Sequence, residues 1–105
     1  MEALVELLHS KGCSCVIRNG EVVREYYQRG VKDIYTLYTV EPEFLRGASI
    51  ADKVIGRAAA ALMILGGVKR IYADTISLLA LQTLSNLWEF DEMNGNIYFH
   101  CNPLH

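Results

Sequence analysis

The chain has 105 residues, of which 51% are hydrophobic and 21% are charged, and its formal net charge at pH 7 is −2. This length and composition predict one globular domain over residues 1–105, and they exclude a disordered chain. The slightly acidic balance, with no evident basic stripe, disfavours nucleic acid as a general partner.

Three features of the sequence predict where in the cell the protein is found. The uncharged stretch over residues 58–68 contains two glycines and is too short to span a bilayer. The amino terminus has an early glutamate where a signal peptide has basic residues. Three cysteines at wide spacing argue against a disulfide framework, and we expect Cys13 and Cys15 to be small core residues in a reducing compartment. We therefore expect a soluble, cytoplasmic protein that does not bind membranes.

The first half of the chain predicts a helix and a hairpin. Leucines recur at helical spacing over residues 1–11, and Gly12 can end this helix. Residues 13–18 and 21–27 are strand-like and flank Asn19-Gly20, a pair typical of tight hairpin turns. Residues 31–40 are ambiguous, because β-branched and aromatic residues dilute a helical face. Pro42 then begins a short turn or helix.

The second half predicts helices that alternate with strands. A helix over residues 50–65 is closed by Gly66-Gly67, residues 68–73 form a strand, and Ser77 is a good N-cap for a helix over residues 78–88. In the tail, Asn94-Gly95 predicts a turn before a short final strand. A helix after each later strand implies parallel pairing. We therefore expect a three-layer α/β/α sandwich with a mixed sheet.

Charged residues cluster in the first turns of the predicted helix over residues 50–65. Ser49 and Asp52 have the spacing of a capping box, with Asp in place of Glu, and a carboxylate suits the positive end of the helix dipole. Lys53 and Arg57 lie four residues apart and would oppose that dipole unless an anion bound there. Gly56 lies between them and would let a ligand or a neighbouring helix approach closely.

The same charges also fit a salt-bridged surface, and Ser77 also fits a simple helix cap. Helix N-termini that follow parallel strands gather at the carboxyl edge of a sheet, where ligands commonly bind. We therefore predict one ligand site that is formed by Asp52, Lys53, Gly56, Arg57 and Ser77.

The run ADKVIGRAAA at residues 51–60, together with GGVKRIYA at residues 66–73 and the segment 77–84, resembles a small prokaryotic family classed as a domain of unknown function. The hairpin and Arg29-Gly30 also fit. The similarity extends over most of the chain before Glu89, and the tail is not matched. The resemblance implies a cytidine-deaminase-like fold, and the predicted order of elements agrees with it.

The resemblance also allows the deaminase motifs to be placed on this chain. In zinc deaminases the central helix opens with a His or Cys ligand and a catalytic Glu two residues later, and a P-C-x-x-C segment supplies two more ligands. Here Ile50 falls at the first ligand, Asp52 at the Glu, and Ser77 and Ala80 at the two cysteines. Cys and His occur only near the two ends of the chain, so a shifted alignment does not restore the ligands. We expect no zinc, no cofactor and no zinc-dependent deamination.

Three functions stay open on this basis. The first is a binder of a small anionic or nucleotide-like ligand, the second is an enzyme that uses Lys53 or Asp52, and the third is a structural or regulatory subunit that assembles, for example as a homodimer. A metal site made by the terminal His and Cys residues matches no familiar zinc spacing. A Cys101 nucleophile beside His100 is disfavoured, because neighbouring residues on a strand point to opposite faces.

Overall fold

The computed structural model describes residues 1–93 and 96–101, with side chains described through Glu89 and at Tyr98 and Phe99. The predicted Asn94-Gly95 turn lies outside these residues. Within them, no helix is both long and apolar enough to cross a membrane.

Helices and strands alternate along the described chain in a mixed α/β order. The helices are α1 (Glu2–Lys11), α2 (Lys32–Val40), α3 (Pro42–Leu45), α4 (Arg57–Leu65) and α5 (Leu78–Ser85). The strands are β1 (Cys15–Asn19), β2 (Val22–Tyr26), β3 (Ser49–Ile55), β4 (Arg70–Ile76), β5 (Trp88–Met93) and β6 (Asn96–Cys101).

The strands form one mixed sheet in the order β2-β1-β3-β4-β6-β5. Strands β3 and β4 are parallel because α4 crosses between them, whereas the other neighbouring strands pair antiparallel. The predicted mixed sheet is therefore confirmed. Its centre is β3, which is hydrogen-bonded to β1 on one side and to β4 on the other.

Both faces of the sheet are covered by helices. Val16, Ala51 and Tyr72 are register partners on three adjacent strands, and they pack against Leu4 and Leu8 of α1. The residues that alternate with them point to the opposite face, where the larger core lies under α2 to α5. The central strands consequently have little exposed surface on either side.

The predicted helix over residues 50–65 is wrong in its first half. Residues Ser49–Ile55 form β3, and α4 begins at Arg57 after Gly56. A strand that is buried on both faces has a nearly continuous apolar run, and the periodicity of such a run does not separate it from a buried helix. Ser49 therefore caps no helix, Asp52 lies in no first turn, and Lys53 and Arg57 share no helix face.

The other predicted elements are close to those observed. Helices α1 and α3, the hairpin and the last strand are confirmed, and the ambiguous residues 31–40 contain α2. The tight turn consists of Gly20 and Glu21, because Asn19 pairs with Val22. The helix after Ser77 ends at Ser85, earlier than predicted, and Trp88 begins a strand that was not expected.

Candidate functional site

Two of the five predicted site residues, Asp52 and Lys53, line a pocket between β1, β3 and the start of α2. The pocket has a volume of about 380 Å³. Its most deeply buried lining residues are Cys15, Ile34 and Asp52, and Lys53 is half-buried. The lining of the pocket therefore combines apolar residues with an aspartate and a lysine.

Asp52 is brought into this pocket by the register of the central strand. Its partner on β1 is Cys15, and both side chains lie on the face that carries the larger core. The Asp52 side chain is only 7% exposed, and its Oδ1 accepts a hydrogen bond from the main-chain N–H of Val54 at 3.2 Å.

Burial raises the pKa of Asp52 to about 7, although hydrogen bonds from the main chain at Val54 and Lys53 act in the opposite direction. The charge of Asp74 adds to the increase in this pKa. Near neutral pH the Asp52 carboxyl group therefore exists in both protonation states. It can accept hydrogen bonds in one state and donate one in the other.

Cys15 lies beside this carboxyl group and is 5% exposed. Burial raises the pKa of its thiol well above the usual value, and the neighbouring charges of Asp52 and Asp33 raise it further. The thiol is therefore protonated at neutral pH and is a poor nucleophile. Cys15 contributes a small apolar surface to the pocket.

The outer wall of the pocket is held in place by Ser14. Its hydroxyl group lies within hydrogen-bond distance of the carbonyl oxygens of Tyr26 and Gln28, at 3.0 and 2.7 Å, and donates toward them. The main-chain carbonyl of Ser14 accepts from the N–H of Lys53 at 3.0 Å. These bonds tie the end of β2 to β3 and fix the position of Arg29, which follows Gln28.

The charges around the pocket have both signs. Arg29 and Lys53 contribute cations, and Asp33 and Asp52 contribute carboxyl groups. Among the described side chains, neither Arg29 nor Lys53 is in an ion pair. The pocket is consequently suited to a polar ligand that has an anionic group and hydrogen-bond donors.

The other predicted site residues lie at the carboxyl edge of the parallel strands. Ile55 and Ile76 are register partners, and the N–H of Ser77 donates to the carbonyl of Ile55 at 3.0 Å. The starts of α4 and α5 are therefore neighbours, as the parallel pairing predicted. The Ser77 hydroxyl group accepts from the N–H of Ala80 at 3.1 Å, so Ser77 is the predicted N-cap.

The five predicted site residues do not all line the pocket of Asp52. Asp52 precedes Ile55 by three residues, which corresponds to about 10 Å along a strand. Gly56, Arg57 and Ser77 are not among the residues that line the pocket of Asp52. Whether these three residues contact a ligand stays a prediction.

Three pocket residues, Cys15, Arg29 and Asp33, were missed by the sequence analysis as ligand contacts. They belong to β1, to the segment after β2 and to α2. Arg29-Gly30 follows the strand-like residues 21–27 and indicated a loop, but this signal did not show which strand the loop faced.

The structure also corrects the placement of the deaminase motif. Ile50 and Asp52 lie inside β3, and the helix that follows begins with Gly56 as its N-cap and Arg57 as its first residue. In the part of the chain that the structure describes, no group of three His, Cys, Asp or Glu side chains is placed to hold a metal ion.

Comparisons with known proteins agree with this architecture. The family described as "Domain of unknown function (DUF1893)" matches residues 3–92. The crystal structure of a DUF1893 family protein from Thermotoga maritima superposes with a TM-score of 0.71 at 25% sequence identity, and the match covers 81% of this chain and 57% of that one. This chain thus spans little more than half the length of that relative. A comparison with curated proteins found no match. Because the family match extends over most of its length, the chain belongs to the DUF1893 family.

Proposed function

We propose that the chain binds a small nucleotide-like molecule in the pocket between β1, β3 and α2. The observation that carries this proposal is a carboxyl side chain, Asp52, that is 7% exposed and lines a pocket of about 380 Å³. Arg29 and Lys53 line the same pocket and form no ion pair with any side chain that the structure describes. A volume of this size falls within the range of small-molecule sites.

The chemistry of the pocket supports a ligand with two different ends. The Asp52 carboxyl group can pair with the N–H donors of a base-like ring, and its pKa near 7 also gives it a proton to donate. Arg29 and Lys53 can form charge-assisted hydrogen bonds with phosphate oxygens. Ile34 and Val54 supply apolar contacts for a ring between the two ends.

We also propose the finer description of the fold, a three-layer sandwich of the cytidine-deaminase type that lacks zinc. The placement of α1 on one face and α2 to α5 on the other supports it. The crossover through α4 between the parallel strands β3 and β4 supports it as well. A cytoplasmic location stays a prediction.

Titration calorimetry with nucleoside monophosphates, the matching nucleosides and orthophosphate tests the proposed ligand. We expect a monophosphate to bind more tightly than its nucleoside. Lys53→Ala should weaken the binding of the monophosphate by about tenfold or more, because a charge-assisted hydrogen bond contributes about 1.5–3 kcal/mol. It should change the binding of the nucleoside little.

Lys11→Ala is the matched control, since it removes an exposed lysine at the end of α1. Equal weakening by Lys11→Ala would show a general charge effect and would remove the support for this pocket. The absence of binding by any monophosphate or nucleoside would overturn the proposal.

Assembly into a homo-oligomer has one observation in its favour. Leu78 and Leu79 are 68% and 54% exposed, and they lie in the first turn of α5, which begins beside the end of β3. We propose that a second copy of the chain covers this surface. Light scattering should show a dimer that Leu78→Glu dissociates, and a monomeric wild-type chain would reject the proposal. An enzymatic role of Asp52 or Lys53 stays a prediction.

A further inference from the structure

A second polar pocket lies at the opposite edge of the parallel strands, where β3 and β4 begin. It has a volume of about 220 Å³ and is lined by Arg18, Gly20, Gly47, Ser49, Lys69 and Arg70. Three of these residues are cations and none is acidic. Its composition therefore differs from that of the Asp52 pocket, which has both signs of charge.

The pairing of the strands explains how the cations meet. Arg18 on β1 is the register partner of Ser49 on β3, and Ser49 is the register partner of Arg70 on β4. Register partners point to the same face of a sheet, so the three side chains form one row, the basic row. Lys69 directly precedes β4 and lines the same pocket.

The basic row lies on the same face as α1, but beyond the residues that α1 contacts. On each strand it is two residues away from the partners Val16, Ala51 and Tyr72, which pack against α1. The shift is toward the edge of the sheet where β3 and β4 begin. Asp52 alternates with Ala51 and points to the other face. The two pockets are therefore on opposite faces of the sheet.

The polar side chains that line this pocket have no hydrogen-bond or ion-pair partners among the described residues. Arg18, Lys69 and Arg70 form no ion pair or side-chain hydrogen bond there. The Ser49 side chain is 8% exposed and also has no hydrogen-bond partner in this part of the chain, although its oxygen is not sealed from solvent. A nearly buried hydroxyl group thus faces a pocket lined by three cations.

We propose that the basic row binds the phosphate group of a small phosphorylated molecule. Three cations near one another repel unless an anion lies between them, and a phosphate dianion offers several acceptor oxygens for them. The arginine guanidinium groups can each donate two hydrogen bonds to such oxygens, and the Ser49 hydroxyl group can donate another. This site is independent of the ligand proposed for the Asp52 pocket.

Titration calorimetry with pyrophosphate and orthophosphate at low ionic strength tests the proposal. Arg70→Gln and Arg18→Gln should each weaken pyrophosphate binding by about tenfold or more, since each removes a charged donor. Ser49→Ala should weaken it less, because a neutral hydrogen bond contributes about 1 kcal/mol. Lys11→Gln is the matched control, as it removes an exposed cation at the end of α1.

Circular dichroism melts show which variants are folded, and either arginine variant alone is sufficient for the comparison. No pyrophosphate binding to the wild-type chain would overturn the proposal. Equal weakening by Lys11→Gln would show a general charge effect and would also overturn it. Loss of binding in Lys53→Ala with full binding in Arg70→Gln would assign the phosphate to the Asp52 pocket.

A short DNA duplex provides the last arm of the experiment. We expect the duplex to compete with pyrophosphate weakly, because only a few cations lie on this face. Much tighter binding of the duplex, with a steep dependence on salt and loss in Arg18→Gln, would identify a nucleic-acid backbone as the ligand and reject the small phosphate.

Discussion

Asp52→Asn is expected to stabilise the protein more at pH 8 than at pH 5. Burial raises the pKa of Asp52 from 3.8 to about 7, so the folded chain keeps a proton that the unfolded chain releases. The contribution of Asp52 to the free energy of unfolding should therefore be largest below pH 4. It should fall as the pH rises toward 7 and then level off, once the folded carboxyl group also ionises.

The size of the effect follows from the two pKa values. Ionisation of Asp52 disfavours the fold by about 2 kcal/mol at pH 5 and by about 4 kcal/mol at pH 8. Asparagine has nearly the same shape, and its carbonyl oxygen can still accept from the N–H of Val54. The stability of the variant relative to the wild-type chain should thus increase by about 2–3 kcal/mol between these pH values.

Urea unfolding of both proteins, followed by circular dichroism at pH 5 and pH 8, measures this difference. The other titrating groups are common to both chains and cancel. Glu6→Gln serves as the control, because it removes an exposed carboxylate on α1. A difference between Asp52→Asn and the wild-type chain that is the same at both pH values, or that decreases at pH 8, would refute the reasoning. It would mean that water or Lys53 stabilises the ionised carboxylate inside the pocket.

Three further predictions concern stability, and urea unfolding measures each of them. Asn19 donates to two main-chain carbonyl oxygens near α3, both at 2.9 Å. Asn19→Ala should lower the free energy of unfolding by roughly 1–3 kcal/mol, and Asn19→Asp should lower it more, because a carboxylate cannot donate to these oxygens. The reverse order would contradict these bonds. Ser77→Ala should cost about 1 kcal/mol, and Ser77→Asp should recover most of it; no recovery would argue against the cap. Gly66→Ala places a Cβ 2.9 Å from Cδ1 of Leu45 and should cost about 1–3 kcal/mol, unlike Gly56→Ala, whose Cβ meets open space.

Short-range signals were sufficient for several elements of this fold. Helical leucine spacing, the turn around Gly20 and the Ser77 cap each depend on residues that are close in the chain, and α1, the hairpin and the start of α5 were predicted from them. A local signal of this kind is present whether or not the rest of the chain has folded. The mixed sheet followed from the order of these elements.

The boundary between β3 and α4 could not be predicted from such local signals. Residues 49–65 are mostly apolar apart from Asp52, Lys53 and Arg57, and only the neighbours β1 and β4 make the first part a strand. The backbone of β3 is satisfied by hydrogen bonds to residues far away in the chain. Gly56, which was interpreted as a point of close approach, is the junction between the two elements.

The sequence by itself determined the mixed α/β class and most helix positions. It also made Asp52 and Lys53 candidate site residues, because they are charged residues in a mostly apolar segment. Only the tertiary structure placed Asp52 beside Cys15 and separated it from Arg57 and Ser77.

The tertiary structure alone also gathered Arg18, Ser49 and Arg70 into one row, although no basic stripe is visible in the sequence. The physical reason is that strand register, and not distance along the chain, decides which side chains are neighbours. That register is set by hydrogen bonds and core packing between segments many residues apart.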